Sequence, residues 1–421
     1  MKRIGLLGEK LGHSYSKLVH EALRNNPYLL FEVPQEKFDE FMKKKEFDAI
    51  NVTIPYKEKV LPYLDFISDM AKRIGAVNTI VNRNGKLYGY NTDYDGFKYL
   101  ALYTEFDFPS SKCLILGDGG TSKTVREVLK DLKTKEIFVA TRKVIADLPE
   151  EDGIKFINYK KIDYNKFDYI INATPVGMYP NIDECIVEGP LKSVKGIIDV
   201  IYNPYRTKLH FINEDIEYFS GTKMLTYQAA KSQKIFFGEN SEIDENAVLQ
   251  IEENIRDKVG NFVLIGMPGS GKTTVGKKIQ EILGYKFIDT DRLVEKYSGY
   301  TIEEIFSKFG EKKFREYEAM VIKEVALSTK SVIATGGGVV LSKENMDLLR
   351  ANGSVIYLKR DIEVILNGFD YSRPLAQNEK QVRKLYKERK DLYEKYADMK
   401  FDPINLIRTL KLLAASRKRW R

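Results

Sequence analysis

Short apolar runs alternate with amphipathic stretches along most of the chain. Ile4–Leu7, Ala49–Ile54, Cys113–Leu116, Ile137–Ala140, Tyr169–Ile171 and Ile197–Val200 have the length of buried strands. The rhythm resumes at Phe262–Ile265, Phe287–Ile288, Val332–Ala334 and Val355–Leu358. Strands separated by helix-length segments predict βαβ units, mostly parallel sheets and an α/β fold. Two Gly-rich turns stand out, one after Leu114-Ile115-Leu116 and one after Val263-Leu264-Ile265. Each lies between an apolar strand and a helical pattern, where backbone N–H groups can gather around phosphate.

A length of 421 residues predicts two or three domains. Between the two Gly-rich halves, the segment from Glu239 to Arg256 is acidic and helix-like, and Lys258-Val259-Gly260 leads into the next strand. No Pro- or Ser-rich linker intervenes, so the halves are expected to be joined closely. Composition adds little: 43% hydrophobic and 30% charged residues are ordinary for a globular protein. The net charge of +8 suits anionic small molecules as well as nucleic acid, and a solvated lysine-rich surface accounts for most of it. Cys113 sits in an apolar run and reads as core. Neither it nor Cys185 has a partner at metal-ligand spacing. The chain opens into a strand with no signal-peptide pattern, and no apolar stretch has transmembrane length. The expectation is a reduced, cytoplasmic protein with no membrane or nucleic-acid partner; the oligomeric state is left open. The basic end, Arg417-Lys418-Arg419-Trp420-Arg421, reads as a solvated tail or a contact for an acidic partner.

In the second half, Gly266-Met267-Pro268-Gly269-Ser270-Gly271-Lys272-Thr273 matches G-x-x-x-x-G-K-[ST], continuing into Thr274. Such a loop turns its N–H groups onto phosphates, with Lys272 reaching the β- and γ-phosphates and Thr273 offering a hydroxyl to Mg²⁺. The strand that follows ends in Asp289-Thr290-Asp291. Two carboxylates at this spacing suit one metal-facing and one substrate-facing role, although an Asp here also serves as a helix N-cap. Then come Gly310-Glu311-Lys312-Lys313-Phe314-Arg315-Glu316, Ala334-Thr335-Gly336-Gly337-Gly338, Ser372-Arg373-Pro374-Leu375 and Arg389-Lys390-Asp391-Leu392-Tyr393. In this order, over about residues 260–412, the series resembles shikimate kinase. The resemblance implies ATP and Mg²⁺, with Asp289 near the metal and Asp291 on the substrate hydroxyls. It implies Arg315 and Arg389 clamping the shikimate carboxylate, Gly337 and Gly338 beneath its ring, and Arg373 in a lid over the phosphates. Arginine suits a carboxylate because its fork makes two parallel hydrogen bonds.

In the first half, Gly117-Asp118-Gly119-Gly120 follows a strand as a variant of a dinucleotide loop; alone it fits a plain strand–helix turn nearly as well. The next strand ends in Thr141-Arg142-Lys143. A basic pair there suits the 2′-phosphate of NADP, or is a solvated turn. Around these lie Gly12-His13-Ser14-Tyr15-Ser16, Asn51-Val52-Thr53-Ile54-Pro55-Tyr56-Lys57, Gly75-Ala76-Val77-Asn78-Thr79, Asn91-Thr92-Asp93, Asn172-Ala173-Thr174-Pro175-Val176-Gly177-Met178, Asp199-Val200-Ile201-Tyr202-Asn203-Pro204 and Gly221-Thr222-Lys223-Met224-Leu225-Thr226-Tyr227-Gln228. Over about residues 1–255 this series resembles shikimate dehydrogenase. The resemblance implies that Ser14, Ser16, Thr53, Asn78, Tyr202 and Gln228 bind the substrate's carboxylate and hydroxyls. Lys57 and Asp93 are then the catalytic pair, holding and relaying the proton of the reacting oxygen; a structural ion pair is the competing reading. Gly221 and Met224 face the nicotinamide, unless Met224 only packs. Gly117, Gly119, Gly120, Thr141, Arg142 and Lys143 take the rest of NADP. His13 reads as structural, and His20 and His210 as helix residues. The sequence departs from the family at Asp118, an acid beside a pyrophosphate site unless it points away or caps the helix, and at Ala146, where a second arginine is usual.

The expectation is therefore a bifunctional enzyme of aromatic amino acid biosynthesis, taking 3-dehydroshikimate to shikimate and on to its 3-phosphate. Its parts are a substrate domain (1–102, with a return at 222–256), an NADP-binding Rossmann-type domain (103–221) and a P-loop kinase domain (259–421). Two rivals stand: an NAD-dependent quinate-type dehydrogenase in the first half, and a non-catalytic nucleotide sensor built on both folds.

Overall fold

The computed structural model describes residues 2–12, 14–24, 26–142, 150–239 and 243–403; His13, Lys143, Ala146 and the basic tail lie outside the described residues. The chain divides into two compact units, 1–255 and 256–421. Each of the ten apolar runs named above forms a strand, although Ala49–Ile54 and Ile197–Val200 run past the strand ends at Val52 and Asp199.

The first unit holds two sheets. One is built from β1 (Ile4–Gly8), β2 (Leu29–Glu32), β3 (Ala49–Val52), β4 (Phe66–Ile67), β5 (Thr79–Arg83) and β6 (Lys86–Tyr90), in the order β2-β1-β3-β5-β6-β4. It is mixed: β1 runs parallel to β2 and β3, but β5 is antiparallel to both β3 and β6. The β5–β6 turn is Asn84-Gly85, both at positive φ (53° and 82°), the dipeptide that favours a tight hairpin matching strand twist. The helix Thr222–Phe237 returns to this sheet, with Phe236 packed among Ile4, Leu6, Ala49 and Val81.

The other sheet contains β7 (Lys112–Leu116), β8 (Glu136–Thr141), β9 (Glu150–Glu151), β10 (Ile154–Asn158), β11 (Tyr169–Asn172), β12 (Gly196–Asp199) and β13 (Glu217–Ser220), in the order β13-β12-β11-β7-β8-β10-β9. Only β9 runs antiparallel. Register places Leu116 beside Ala140 and Asn172, Asn172 beside Asp199, and Asp199 beside Ser220. The loops beginning at Gly117, Ala173, Val200 and Gly221 therefore leave along one edge, at the carboxyl ends of the strands. Strand order reverses between β7 and β11, so this edge has the crevice where doubly wound sheets bind ligands.

The second unit has one all-parallel sheet of β14 (Asn261–Ile265), β15 (Lys286–Asp289), β16 (Ser331–Ala334), β17 (Gly353–Leu358) and β18 (Met399–Phe401), in the order β15-β16-β14-β17-β18. Central β14 is buried throughout and delivers the P-loop from its carboxyl end. Among the described residues, no helix is long and apolar enough to cross a membrane.

Candidate active sites

In the first unit, one cleft gathers side chains from positions far apart in sequence. Ser14, Ser16, Thr53, Lys57, Asn78, Asp93, Tyr202, Gly221, Met224 and Gln228 all line it. Asp93 opens the helix Asp93–Tyr103, and Gln228 lies on the helix Thr222–Phe237. These helices approach closely at Gly96, where a Cβ would stand 2.5 Å from the Met224 carbonyl oxygen and 2.9 Å from the Gln228 Cβ. That contact brings Gln228 and Met224 to the cleft that Asp93 lines. Gly221 serves a similar end, since a Cβ there would lie 2.0 Å from the Val200 carbonyl oxygen.

Lys57 Nζ donates to Asp93 Oδ2 at 2.6 Å, and both side chains are mostly buried. The Ser14 and Ser16 hydroxyls lie 3.1 Å apart. The Tyr202 phenol lies beside Ser14, and burial raises its pKa, so it stays protonated. Asn78 donates to Thr92 Oγ1 (3.0 Å) and to Gln228 Oε1 (3.4 Å), and accepts from the Thr92 N–H (2.7 Å). Behind it, Asn51 donates to Thr79 Oγ1 and Ser232 Oγ, and Tyr28 donates to Asn51. The sequence reading assigned no role to Asn51, Thr79, Thr92 or Ser232. The available signal was Ser232 one turn beyond Gln228, a polar pair on a buried helix face. This satisfied network fixes the rotamers of Asn78 and Gln228.

The dinucleotide loop lies outside that wall. Gly117 has φ +102° and would bring a Cβ within 2.8 Å of Thr174 Cγ2, whereas a Cβ on Gly119 would meet open space. Gly120 begins the helix Gly120–Asp131. Thr141 is buried and Arg142 exposed. The awkward acid, Asp118, is ion-paired with Arg126 of that helix. Its charge is thereby offset, and the loop can accept an anion. His20 belongs to the core, stacked 4.1 Å from Tyr28, with its pKa lowered to about 3 by burial.

In the second unit, Gly266, Gly269 and Gly271 take positive φ of 145°, 79° and 94°, which side chains resist. Ser270 is fully buried and Thr274 exposed. Lys272 Nζ rests on the carbonyls of Gly266 (2.8 Å) and Met267 (2.9 Å). Burial lowers its pKa to about 8, opposed by Asp291 and Asp289. Thr273 Oγ1 donates to Asp289 Oδ2 at 3.1 Å, while Asp289 Oδ1 caps the next helix at the Arg292 N–H. Asp289 therefore fills both positions open to it, helix cap and neighbour of the P-loop hydroxyl.

A second cleft is lined by Thr273, Asp289, Asp291, Arg315, Gly337, Gly338, Arg373 and Arg389. The glycines after β16 make room for its charges. A Cβ on Gly336 would lie 2.6 Å from Asp291 Oδ1, and one on Gly338 would lie 2.5 Å from Arg315 Nη2. Burial raises the Asp291 pKa to about 6, helped by Asp289 and Glu318 and opposed by Lys272. Arg315 is braced by Glu311 (2.9 Å) and Glu318 (2.8 Å). Glu318 is buried, its pKa raised by that burial, and it lines the cleft with one oxygen unpartnered. The sequence reading missed it, although it stands three residues from Arg315 on the same helix. Arg389 is also buried, with Nε unpartnered. Among the described residues, no group of three or more His, Cys, Asp or Glu could hold a metal. Thr273 and Asp289 do supply the oxygen donors that Mg²⁺ uses when substrate phosphates and water complete its shell.

Two family models match the chain. The shikimate dehydrogenase substrate binding domain matches residues 6–80 and shikimate kinase matches residues 268–406. A shikimate dehydrogenase (NADP(+)) of Clostridium beijerinckii is 42% identical over 248 residues, spanning 56% of this chain and 92% of the relative. One from Methanococcus vannielii is 36% identical over 263 residues, covering 56% and 91%. Among solved structures, shikimate dehydrogenase 1 of Peptoclostridium difficile aligns with a TM-score of 0.56 at 37% identity, covering 61% of this chain and 98% of that one. The Thermus thermophilus enzyme in complex with NADP(H) and shikimate aligns with a TM-score of 0.52 at 26% identity, covering 61% and 100%. The chain belongs to the shikimate dehydrogenase family and carries a shikimate kinase domain in the same polypeptide.

Proposed function

We propose that the first unit reduces 3-dehydroshikimate to shikimate with NADPH, and that the second phosphorylates shikimate at its 3-hydroxyl with ATP and Mg²⁺. The observation that carries this reading is the kinship of the two clefts. Each sets polar or cationic groups suited to a carboxylate beside acceptors for ring hydroxyls, in a unit with a Gly-rich nucleotide loop.

In the first cleft, Ser14, Ser16 and Tyr202 form the hydroxyl-rich end for the carboxylate, while Thr53, Asn78 and Gln228 take ring hydroxyls. The Lys57 ammonium, held by Asp93, protonates the carbonyl oxygen during reduction and recovers that proton in reverse. NADPH would supply the hydride, held by Gly117, Gly119, Gly120, Thr141 and Arg142, with Gly221 and Met224 at the nicotinamide. Lys143 remains part of this proposal on sequence grounds. The Asp118–Arg126 pair and the open space at Gly119 support the fit. Arg142→Ala is expected to raise the KM for NADPH about tenfold or more, the worth of a charged hydrogen bond, and to leave the KM for NADH nearly unchanged. Equal rises for both cofactors would count against Arg142 as the 2′-phosphate contact. A preference of the wild type for NADH over NADPH would favour the quinate-type rival.

In the second cleft, Arg315 and Arg389 clamp the carboxylate over Gly337 and Gly338, and Asp291 accepts from the attacking hydroxyl. Gly266, Gly269, Ser270, Gly271, Lys272, Thr273 and Thr274 cradle the phosphates, and Arg373 closes over them. Mg²⁺ would neutralise phosphate charge from Thr273 and Asp289. Phosphoryl transfer needs little beyond such positioning and charge neutralisation.

A pH dependence follows. Asp291 must be ionised to accept a proton, so activity falls as pH drops through about 6. Lys272 must be charged to hold phosphate, so activity falls as pH rises through about 8. The kinase kcat/KM profile is expected to be bell-shaped between those limbs. Asp291→Asn, although far less active, should lose the acid limb. An acid limb that survives in Asp291→Asn would show that another group sets it.

A further inference from the structure

Tyr393 ends the motif Arg389-Lys390-Asp391-Leu392-Tyr393, yet it does not line the cleft and the proposed mechanism gives it no task. It lies on the helix Glu379–Tyr396, four residues after Arg389, so both side chains share one face. Tyr393 is fully buried, its ring stacked 5.2 Å from Tyr357 of β17. Its hydroxyl donates to the Gly337 carbonyl and stands 3.9 Å from Met267 Sδ, with the charge of the buried Arg389 guanidinium beside it. Pro268, next in the P-loop, packs on Gly337, where a Cβ would lie 2.7 Å from its Cδ. Three pieces of the site thus meet at one oxygen: the carboxylate clamp, the glycine platform and the nucleotide loop.

We infer that Tyr393 is a positioning residue, whose hydroxyl sets the Arg389 fork in register with the Gly337 platform. A phenol can donate one hydrogen bond and accept another; here it donates to Gly337 and keeps acceptor capacity for the neighbouring guanidinium. A guanidinium steadied on that oxygen keeps its other N–H groups for a carboxylate. A fork aligned to a fraction of an ångström binds its anion in two parallel hydrogen bonds, whereas a loose one makes a single, weaker contact. The inference rests on the kinase reading.

Tyr393→Phe keeps the ring and removes only the oxygen. In the full chain, the KM for shikimate in the kinase assay is expected to rise about tenfold, the scale of one charged hydrogen bond, with kcat within about threefold and the KM for ATP unchanged. A merely structural role would lower the melting temperature and leave this KM alone. Two controls sharpen the result. With shikimate amide, which offers no carboxylate, the substitution is expected to change KM by less than twofold. Added to Arg389→Lys, which already lacks the fork, it should raise KM no further. MgADP binding reports whether the P-loop unit stays folded; if Tyr393→Phe loses it, Tyr393→His, which keeps a ring with altered hydrogen-bonding geometry, takes its place and is expected to raise the KM for the acid more than for the amide. The inference is overturned if Tyr393→Phe leaves the KM for shikimate within twofold of wild type, if acid and amide suffer alike, or if the two substitutions multiply. Absence of shikimate-dependent ADP formation in the wild type would remove the kinase reading itself, and the inference with it.

Discussion

Lys57→Ala is expected to lower kcat for reduction of 3-dehydroshikimate by roughly 10²- to 10⁴-fold, the usual contribution of a positioned general acid, while leaving phosphorylation of shikimate at the wild-type rate. Two observations set the size of the effect. Lys57 lies 2.6 Å from Asp93 inside the cleft, with little exposure to water. Among the described residues lining that cleft, it is also the one bearing an ammonium group. Hydroxyls and amides can bind a triol, but they donate protons far less readily at neutral pH. The competing view, in which Lys57–Asp93 is only an ion pair, predicts otherwise. Breaking a largely buried pair should then cost stability and leave kcat nearly intact in the folded fraction. Thermal melting and kcat measured on the same Lys57→Ala sample separate the two, and a destabilised protein with near-normal turnover would contradict the catalytic assignment.

Lys272→Ala is expected to reduce kinase kcat/KM by on the order of 10²- to 10³-fold, comparable with removing one preorganised donor to developing charge, and to leave NADPH oxidation untouched. Lys272 lies on the Gly266 and Met267 carbonyls. It is therefore already at the loop and needs only side-chain rotation to reach a phosphate. Its low pKa has the same origin as its usefulness: little water competes for the ammonium. ADP release with saturating shikimate measures the loss. Normal phosphoryl transfer in Lys272→Ala would mean that charge neutralisation rests on Arg373 and the metal alone.

The apolar runs were legible because buried parallel strands need uninterrupted apolar residues, as β14 and β17 do. The hairpin of β5 and β6 carried its own sign in Asn84-Gly85, which the reading passed over in favour of polar clusters. Residues of the two clefts were recognisable in sequence because their chemistry restricts the choice: two arginines for a carboxylate, Lys-Ser/Thr after a glycine loop. Supporting residues were not. Ser232 and Glu318 are ordinary polar residues on helices, and only the fold shows that each faces a buried partner. Asp118 was read as a defect of the cofactor loop. Its ion pair with Arg126, eight residues on, could have been anticipated only by knowing where the following helix turns its side chains. Gly337 and Gly338 were read as a platform and Gly336 was given no role, whereas the geometry shows a further reason for glycine: a Cβ on Gly336 would collide with Asp291 and one on Gly338 with Arg315.

The central claim is that one chain makes shikimate at one site and consumes it at another. The direct measurement supplies the full chain with 3-dehydroshikimate, NADPH, ATP and Mg²⁺, and follows NADPH oxidation, ADP formation and phosphorylated product together. The account predicts equimolar NADPH oxidised, ADP released and shikimate 3-phosphate formed, with no ADP when 3-dehydroshikimate is omitted. NADPH oxidation with no ADP, or ADP formed at the same rate without 3-dehydroshikimate, would contradict it.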